Sequence, residues 1–136
     1  MKNHYQLYNY VQDTKNGYFC LDFSNNGIMF NPCNNRNSQK WYNEKYGPNY
    51  TNIVNNEMDK CLDIKKDGSN NLDIRDCDYN PDTPGQRWLY NPVNNVIQNS
   101  LSGSTKCLDT SNGLNMVDCY YGGFDKQWFK INITGI

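Results

Sequence analysis

Three aspartates stand at the same place in a repeated motif, and they are the residues of this sequence best suited to bind a ligand. Each follows a Cys-Leu pair, which gives Asp22, Asp63 and Asp109. A carboxylate accepts two short charge-assisted hydrogen bonds, and two adjacent hydroxyls of a sugar can donate them. The same carboxylate can instead accept from backbone N–H groups of the following turn. Each aspartate therefore has a ligand-binding interpretation and a structural one.

Catalytic chemistry has little support in the sequence. A nucleophile activated by histidine needs a histidine nearby, and the single one, His4, is close to the start of the chain. Nothing marks the second, proton-carrying carboxylate that glycoside hydrolysis requires. We therefore expect that the chain is not an enzyme and that it uses no cofactor.

Metal binding is also not expected. Seven of the twelve aspartates cluster in the middle of the chain, where Asp78-x-Asn80-x-Asp82 imitates the start of a calcium-binding loop. Thr83 stands where that loop requires glycine, and Leu89 where it requires glutamate. The closest two cysteines are twelve residues apart, too far for the close pairs typical of zinc sites. The acidic cluster is interpreted as a solvated surface.

The three aspartates belong to a sequence repeat. Three segments share C-L-D, a Gly/Asn turn, an apolar stretch and a closing cysteine: CLDFSNNGIMFNPC, CLDIKKDGSNNLDIRDC and CLDTSNGLNMVDC. A short apolar segment that ends in asparagine precedes each of them, and a tryptophan follows. The tryptophans are Trp41, Trp88 and Trp128. Four short segments thus recur three times.

The amino-acid composition and the turn residues between these segments predict that the segments are strands. The chain has 24 Asn, 11 Tyr and no Ala, which disfavours helices. Clusters of Asn, Gly, Pro and Asp bound the segments, as is typical of strands joined by turns. We expect one all-β domain over 1–136, with repeats at about 5–48, 49–91 and 92–134. Three four-stranded units are too few for a propeller of about four to eight blades, so their closure predicts a β-trefoil.

Six cysteines in a short, loop-rich chain predict a disulfide framework and a secreted or extracellular protein. Of the fifteen possible pairings, only three respect a threefold repeat. The first cysteine of each repeat would bond to the second of the same repeat, of the next one or of the previous one. Within-repeat pairing would join neighbouring strands of one hairpin.

Charge and hydropathy exclude two classes of partner. The net charge is -1 and no basic stripe is present, so the chain is not expected to bind nucleic acid. No apolar run approaches the roughly 18 residues of a membrane span, and Met1–Val11 has no apolar signal-peptide core. We expect no membrane insertion.

The repeats resemble those of the ricin B-chain type β-trefoil lectins, a family of carbohydrate-binding modules. The resemblance rests on the three C-L-D motifs, the second cysteine of each repeat, and two Q-x-W motifs, 39–41 and 86–88. It covers about residues 5–132. The third repeat departs from the motif, because it reads Asp125-Lys126-Gln127-Trp128 and so aligns Lys126 with the glutamine.

The resemblance implies a core and a disulfide pairing. The tryptophans should pack around the pseudo-threefold axis, and the leucines of C-L-D should face the same core, with the neighbouring Cys and Asp pointing outward. The implied disulfides are Cys20–Cys33, Cys61–Cys77 and Cys107–Cys119.

The resemblance also implies a sugar site in each repeat. In ricin-type lectins the C-L-D aspartate holds vicinal hydroxyls of a galactose-like sugar. A ring two positions before the second cysteine stacks on the sugar, and a glutamine four positions before it adds a polar contact. The glutamine and ring positions here hold Met29 and Asn31, Asp73 and Arg75, and Asn115 and Val117.

The three repeats differ in how many sugar-contacting groups they have. The first repeat has a carboxylate but no ring. In the second, Arg75 is expected to pair with Asp63, and Tyr79 is the nearest ring. The third combines Asp109 and Asn115 with aromatic residues in the loop that follows. The candidate binding residues are Asp109, Asn115, Tyr120, Tyr121, Phe124, Lys126, Gln127, Asp63, Asp73, Tyr79, Gln86, Asp22, Asn31 and Gln39.

We therefore expect binding of glycans, either a galactose-like sugar or a polysaccharide, for example on cell-surface glycoconjugates. The chain would act as a free lectin or as the targeting module of a larger secreted protein. The third repeat is expected to bind most strongly, so that Asp109→Asn weakens binding more than Asp22→Asn does. The alternative is a trefoil that has lost sugar binding and serves as a protein-interaction or inhibitory module.

The cysteine pattern gives a first prediction. Thiol titration of the unreduced, denatured protein should find no free cysteine, and peptide mapping should recover the three within-repeat bonds. Reduction should lower the free energy of unfolding by several kcal/mol, since closing each loop contributes roughly 3 kcal/mol in the chain-entropy model. A mapped bond between Cys33 and Cys61 would contradict the pairing.

Overall fold

Twelve short strands and two 3-10 turns make up the regular structure in the described part of the chain. The computed structural model describes residues 4–9, 18–24, 27–44, 50–65, 69, 71–79, 84–101, 105–110, 114–119, 127 and 129–133. The strands are β1 Tyr5–Asn9, β2 Phe19–Ser24, β3 Gly27–Pro32, β4 Trp41–Tyr42, β5 Val54–Asn55, β6 Cys61–Ile64, β7 Leu72–Arg75, β8 Trp88–Asn91, β9 Val96–Asn99, β10 Lys106–Asp109, β11 Asn115–Asp118 and β12 Phe129–Ile133. The 3-10 turns are Asn37–Gln39 and Pro84–Gln86.

Each repeat contains one antiparallel hairpin that carries its C-L-D motif. The hairpins are β2–β3, β6–β7 and β10–β11. Their registers place Asp22 opposite Met29, Asp63 opposite Asp73, and Asp109 opposite Asn115. Each aspartate therefore lies directly across from the residue four positions before the second cysteine of its repeat.

The disulfides close these hairpins as expected. The bonds are Cys20–Cys33, Cys61–Cys77 and Cys107–Cys119, and each has a Cα–Cα distance of 4.9 Å. No cysteine is free. The prediction of within-repeat pairing is confirmed.

The remaining strands pair both within and between the repeats. β1 pairs with β12 and β4, β4 pairs with β5, and β8 pairs with β9. A bridge between Thr51 and Trp88 joins the start of the second repeat to its end. With four strands in each of three repeats, the all-β class and the β-trefoil architecture are confirmed. The repeat limits 5–48, 49–91 and 92–134 stay a prediction. In the described ranges, no helix is long and apolar enough to cross a membrane.

Leucines and tryptophans of the two motifs meet in one core. Leu21, Leu62 and Leu108 are fully buried, as expected. Trp41 and Trp88 are buried in the same cluster. Each indole also donates its Nε1 hydrogen to the carbonyl of a C-L-D leucine, Trp41 to Leu21 and Trp88 to Leu62, both at 3.0 Å. The C-L-D and Q-x-W motifs are thus joined by packing and by a hydrogen bond.

The third repeat has a different register from the one expected. Trp41 pairs with Asn55 across β4–β5, and Trp88 pairs with Asn99 across β8–β9. The equivalent pair across β1–β12 is Asn9 with Phe129. Phe129 is fully buried in the main core. Phenylalanine therefore takes the place that the alignment gave to Trp128, which lies outside the described residues.

Candidate functional site

A buried glutamine holds the aspartate in each repeat. Its Nε2 donates one hydrogen bond to the aspartate Oδ2 and one to the carbonyl of the residue before the second cysteine. We call this pair of bonds the glutamine clamp. Its members are Gln39 with Asp22 and Pro32 (3.2 and 3.0 Å), Gln86 with Asp63 and Asp76 (3.1 and 3.0 Å), and Gln127 with Asp109 and Asp118 (2.9 and 2.8 Å).

Each clamp removes its aspartate from water. Asp22, Asp63 and Asp109 expose 5%, 1% and 2% of their surface, respectively. The first cysteines of the repeats are buried as well. The outward direction expected for the Cys and Asp of each motif does not expose them to solvent. A buried carboxylate needs hydrogen-bond donors, and the clamp glutamine supplies one to each aspartate.

The third clamp corrects the alignment of Lys126 with the motif glutamine. Gln127 makes the same two bonds as Gln39 and Gln86, and Phe129 occupies the place of the tryptophan two residues later. The motif of the third repeat is therefore Gln127-x-Phe129. Lys126 lies outside the described residues.

The second repeat has no unpartnered carboxylate oxygen on its C-L-D aspartate. Asp63 Oδ1 accepts from the Ile64 N–H at 2.7 Å, and Oδ2 accepts from Gln86 at 3.1 Å. A Cβ added at Gly85 would overlap Asp63 Oδ1, so the backbone lies against this oxygen and only glycine fits there. Asp63 thus has the geometry of a structural residue.

Of the second repeat's other candidates, Gln86 bonds Asp63 and Asp73 lies across the hairpin from it. Arg75 contacts Asp73, with Nε and Oδ2 3.3 Å apart, so the expected pairing of Arg75 with Asp63 was wrong. The hairpin register explains the difference, because Arg75 lies opposite Cys61. Asp73 Oδ1 accepts from the Ile74 N–H at 2.8 Å. Tyr79 is an exposed ring on the loop after the second cysteine.

The first repeat differs at its aspartate. Asp22 Oδ2 accepts from Asn31 Nδ2 at 3.0 Å and from Gln39 at 3.2 Å. Oδ1 is buried and has no hydrogen-bond partner. Asn31, at the position where the family has a ring, is therefore a carboxamide that orients the carboxylate. Met29, directly opposite Asp22, offers no hydrogen bond donor.

The third repeat has an unpartnered acceptor of another kind. Asp109 Oδ2 accepts from Gln127, and Asn115 lies directly across the hairpin from Asp109. Asn115 Oδ1 is buried and without a partner. The structure therefore brings Asp109, Asn115 and Gln127 together. The remaining candidates, Tyr120, Tyr121, Phe124 and Lys126, lie outside the described residues.

Two asparagines outside the set of candidate binding residues support the clamps. Asn55 and Asn99 are fully buried, and each donates to the carbonyl of the residue before a clamp glutamine. Their signal in the sequence was the short apolar segment ending in asparagine that precedes each C-L-D motif. Among the described residues, no group of three or more His, Cys, Asp or Glu side chains could hold a metal ion.

Comparison with known proteins identifies the family. The model of the ricin-type beta-trefoil lectin domain matches residues 49–135. The chain belongs to the ricin-type β-trefoil lectin domain family. Carbohydrate binding is the function that this membership supports. No curated protein is similar enough in sequence to match this lectin domain.

Solved structures share the fold of this lectin domain at low sequence identity. The designed threefold-symmetric protein ThreeFoil is 19% identical with a TM-score of 0.71, over 95% of this chain and 97% of its own. The C-half of an earthworm R-type lectin, in complex with GalNAc, is 19% identical with a TM-score of 0.68, over 96% and 98%. The GlcNAcα1-4Gal-releasing endo-β-galactosidase from Clostridium perfringens is 17% identical with a TM-score of 0.76, over 98% of this chain but only 33% of its own. The lectin domain thus spans about a third of that enzyme.

A stability measurement can decide whether Gln127 or Lys126 occupies the motif-glutamine position of the third repeat. Gln127→Ala should lower the free energy of unfolding by about 2 to 4 kcal/mol, because it removes two buried hydrogen bonds, one of them to a carboxylate. Gln39→Ala and Gln86→Ala should cost a similar amount. Lys126→Ala is the control and should change stability by less than about 0.5 kcal/mol. Urea unfolding of the four variants measures this, and a larger loss for Lys126→Ala than for Gln127→Ala would contradict the new register.

Proposed function

We propose that this lectin domain binds a galactose-like sugar at the first and third hairpins, and that the second hairpin is structural. One observation carries the proposal. The first and third hairpins each have a buried acceptor without a partner, Asp22 Oδ1 and Asn115 Oδ1, whereas both oxygens of Asp63 are paired.

An unpaired buried acceptor favours a ligand that donates hydrogen bonds. Leaving such a group unsatisfied costs about 1–3 kcal/mol, and a sugar hydroxyl that reaches it recovers part of that cost. Both oxygens are covered in the free protein, so the hydroxyl gains access through a small movement of the residues above them. Part of the binding energy is used for this movement, and we expect affinities near millimolar, about -4 kcal/mol. Two sites on one chain would raise the avidity for a multivalent glycan.

The similar structures support the choice of sugar and of setting. The earthworm lectin fragment has GalNAc bound, and the clostridial enzyme acts on a glycan that contains galactose. One of these chains is nearly all lectin domain and the other carries it as a minor part. We infer that this domain, too, works as a free lectin or as a glycan-targeting module, and that it does so without catalysis.

The disulfides add to the setting. Three bonds in a chain of 136 residues are typical of an oxidising environment. We therefore propose secretion, with cell-surface glycoconjugates as partners. The alternative is that the domain has lost sugar binding and serves as a protein-interaction or inhibitory module.

Titration with galactose, GalNAc and mannose, followed by NMR, tests the proposal. Asp22→Asn and Asp109→Asn should each weaken binding at their own hairpin by about tenfold or more, because hydrogen bonds to a charged group contribute about 1.5–3 kcal/mol. Asp63→Asn is the matched control and should leave both sugar affinities unchanged. The same data decide whether Asp109 or Asp22 matters more.

Two results would contradict the proposal. Sugar-induced shifts around Asp63 would show that the second hairpin is not merely structural. Shifts with none of the three sugars would favour the protein-interaction alternative.

A further inference from the structure

Buried asparagines link neighbouring repeats at the clamps. Asn55 Nδ2, on β5 of the second repeat, donates to the Ser38 carbonyl in the first repeat at 2.9 Å. Asn99 Nδ2, on β9 of the third repeat, donates to the Gly85 carbonyl in the second repeat at 2.8 Å. Both asparagines are fully buried. Each bond therefore crosses from one repeat to the clamp of the preceding one.

The bond from Asn55 lies next to the residue that holds Asp22. Ser38 immediately precedes Gln39, and both belong to the 3-10 turn Asn37–Gln39. Gln39 Nε2 donates to Asp22 and Pro32, and its Oε1 accepts from the Asn34 N–H at 2.8 Å. Because these three hydrogen bonds tie the Gln39 side chain to the turn and the hairpin, a shift of the Ser38 carbonyl moves the donor that faces Asp22.

Asn55 is itself firmly held. Its Oδ1 accepts from the N–H groups of Glu57 and Met58, at 3.1 and 3.2 Å. Its backbone N–H donates to the Lys60 carbonyl at 2.8 Å. The turn after β5 and the clamp turn of the first repeat are further joined by the Asn56 N–H, which donates to the Lys40 carbonyl at 2.8 Å. The side chain of Asn55 thus ties two turns from different repeats into one unit.

We propose that Asn55 is a positioning residue for the sugar site of the first repeat. It acts through Ser38 and Gln39 to fix the Asp22 carboxylate, and it is contributed by the second repeat. The inference rests on the proposed function, because it concerns the affinity of that site. Asn99 makes the same contact to the clamp of Asp63, whose oxygens are both paired, and so it has a structural effect alone.

The symmetry provides a matched control for the test. Asn55→Asp keeps the shape and the acceptor oxygen but removes the donor to Ser38, and Asn99→Asp does the same at Gly85. We expect Asn55→Asp to weaken galactose or GalNAc binding at Asp22 about tenfold, equivalent to about 1.4 kcal/mol, with affinity at Asp109 unchanged. Asn99→Asp should lower thermal stability about as much as Asn55→Asp does, but it should change the sugar affinity neither at Asp22 nor at Asp109. Asn55→Ala and Asn99→Ala repeat the comparison if the aspartate variants do not fold.

A second readout separates positioning from general destabilisation. The side-chain amide of Gln39 should shift in the NMR spectrum of Asn55→Asp and not in that of Asn99→Asp, where the amide of Gln86 shifts instead. Equal loss of affinity in the two variants, or an unmoved Gln39 amide, would overturn the inference. If the wild-type chain binds no sugar, the proposed function fails, and the Gln39 amide alone then decides whether Asn55 positions the clamp.

Discussion

A carboxylate that is removed from water must receive hydrogen-bond donors, and this requirement shapes each repeat of the structure. The donor is a glutamine from the loop after the second cysteine, and the same glutamine bonds the carbonyl before that cysteine. One side chain thereby fixes the loop on the hairpin. The buried ring two residues later then enters the core, as Trp41, Trp88 and Phe129 do.

The clamp geometry is repeated three times, yet Asp22 and Asp63 differ in their hydrogen bonding. The neighbouring residues decide the outcome. Gly85 brings the backbone against Asp63, and Ile64 donates to its second oxygen, which completes the hydrogen bonding of that carboxylate. In the first repeat Asn31 and Gln39 both donate to one oxygen of Asp22, and the other oxygen is left without a partner. A single motif thus gives a fully paired carboxylate in one repeat and, in another, the unpaired acceptor on which the proposed sugar site rests.

The trefoil and the hairpins could be predicted because the C-L-D motif occurs three times, and the family resemblance implied the disulfide pairing. The third clamp was misassigned because Trp128 is the obvious match to the tryptophan motif, whereas the core position requires a large ring and Phe129 meets that requirement. The state of each carboxylate could not be predicted. That state depends on strand register and side-chain orientation. These bring Asn31 into contact with Asp22, and Arg75 into contact with Asp73 rather than Asp63.

We propose that the first and third hairpins bind sugar, whereas the second hairpin, although it is also built around a clamped aspartate, does not. A crystal structure of the protein soaked with GalNAc tests this most directly. We expect sugar density at the first and third hairpins, with a hydroxyl within about 3 Å of Asp22 Oδ1 and another at the same distance from Asn115 Oδ1. Sugar bound beside Asp63, with Asp22 Oδ1 and Asn115 Oδ1 still unpaired, would contradict it.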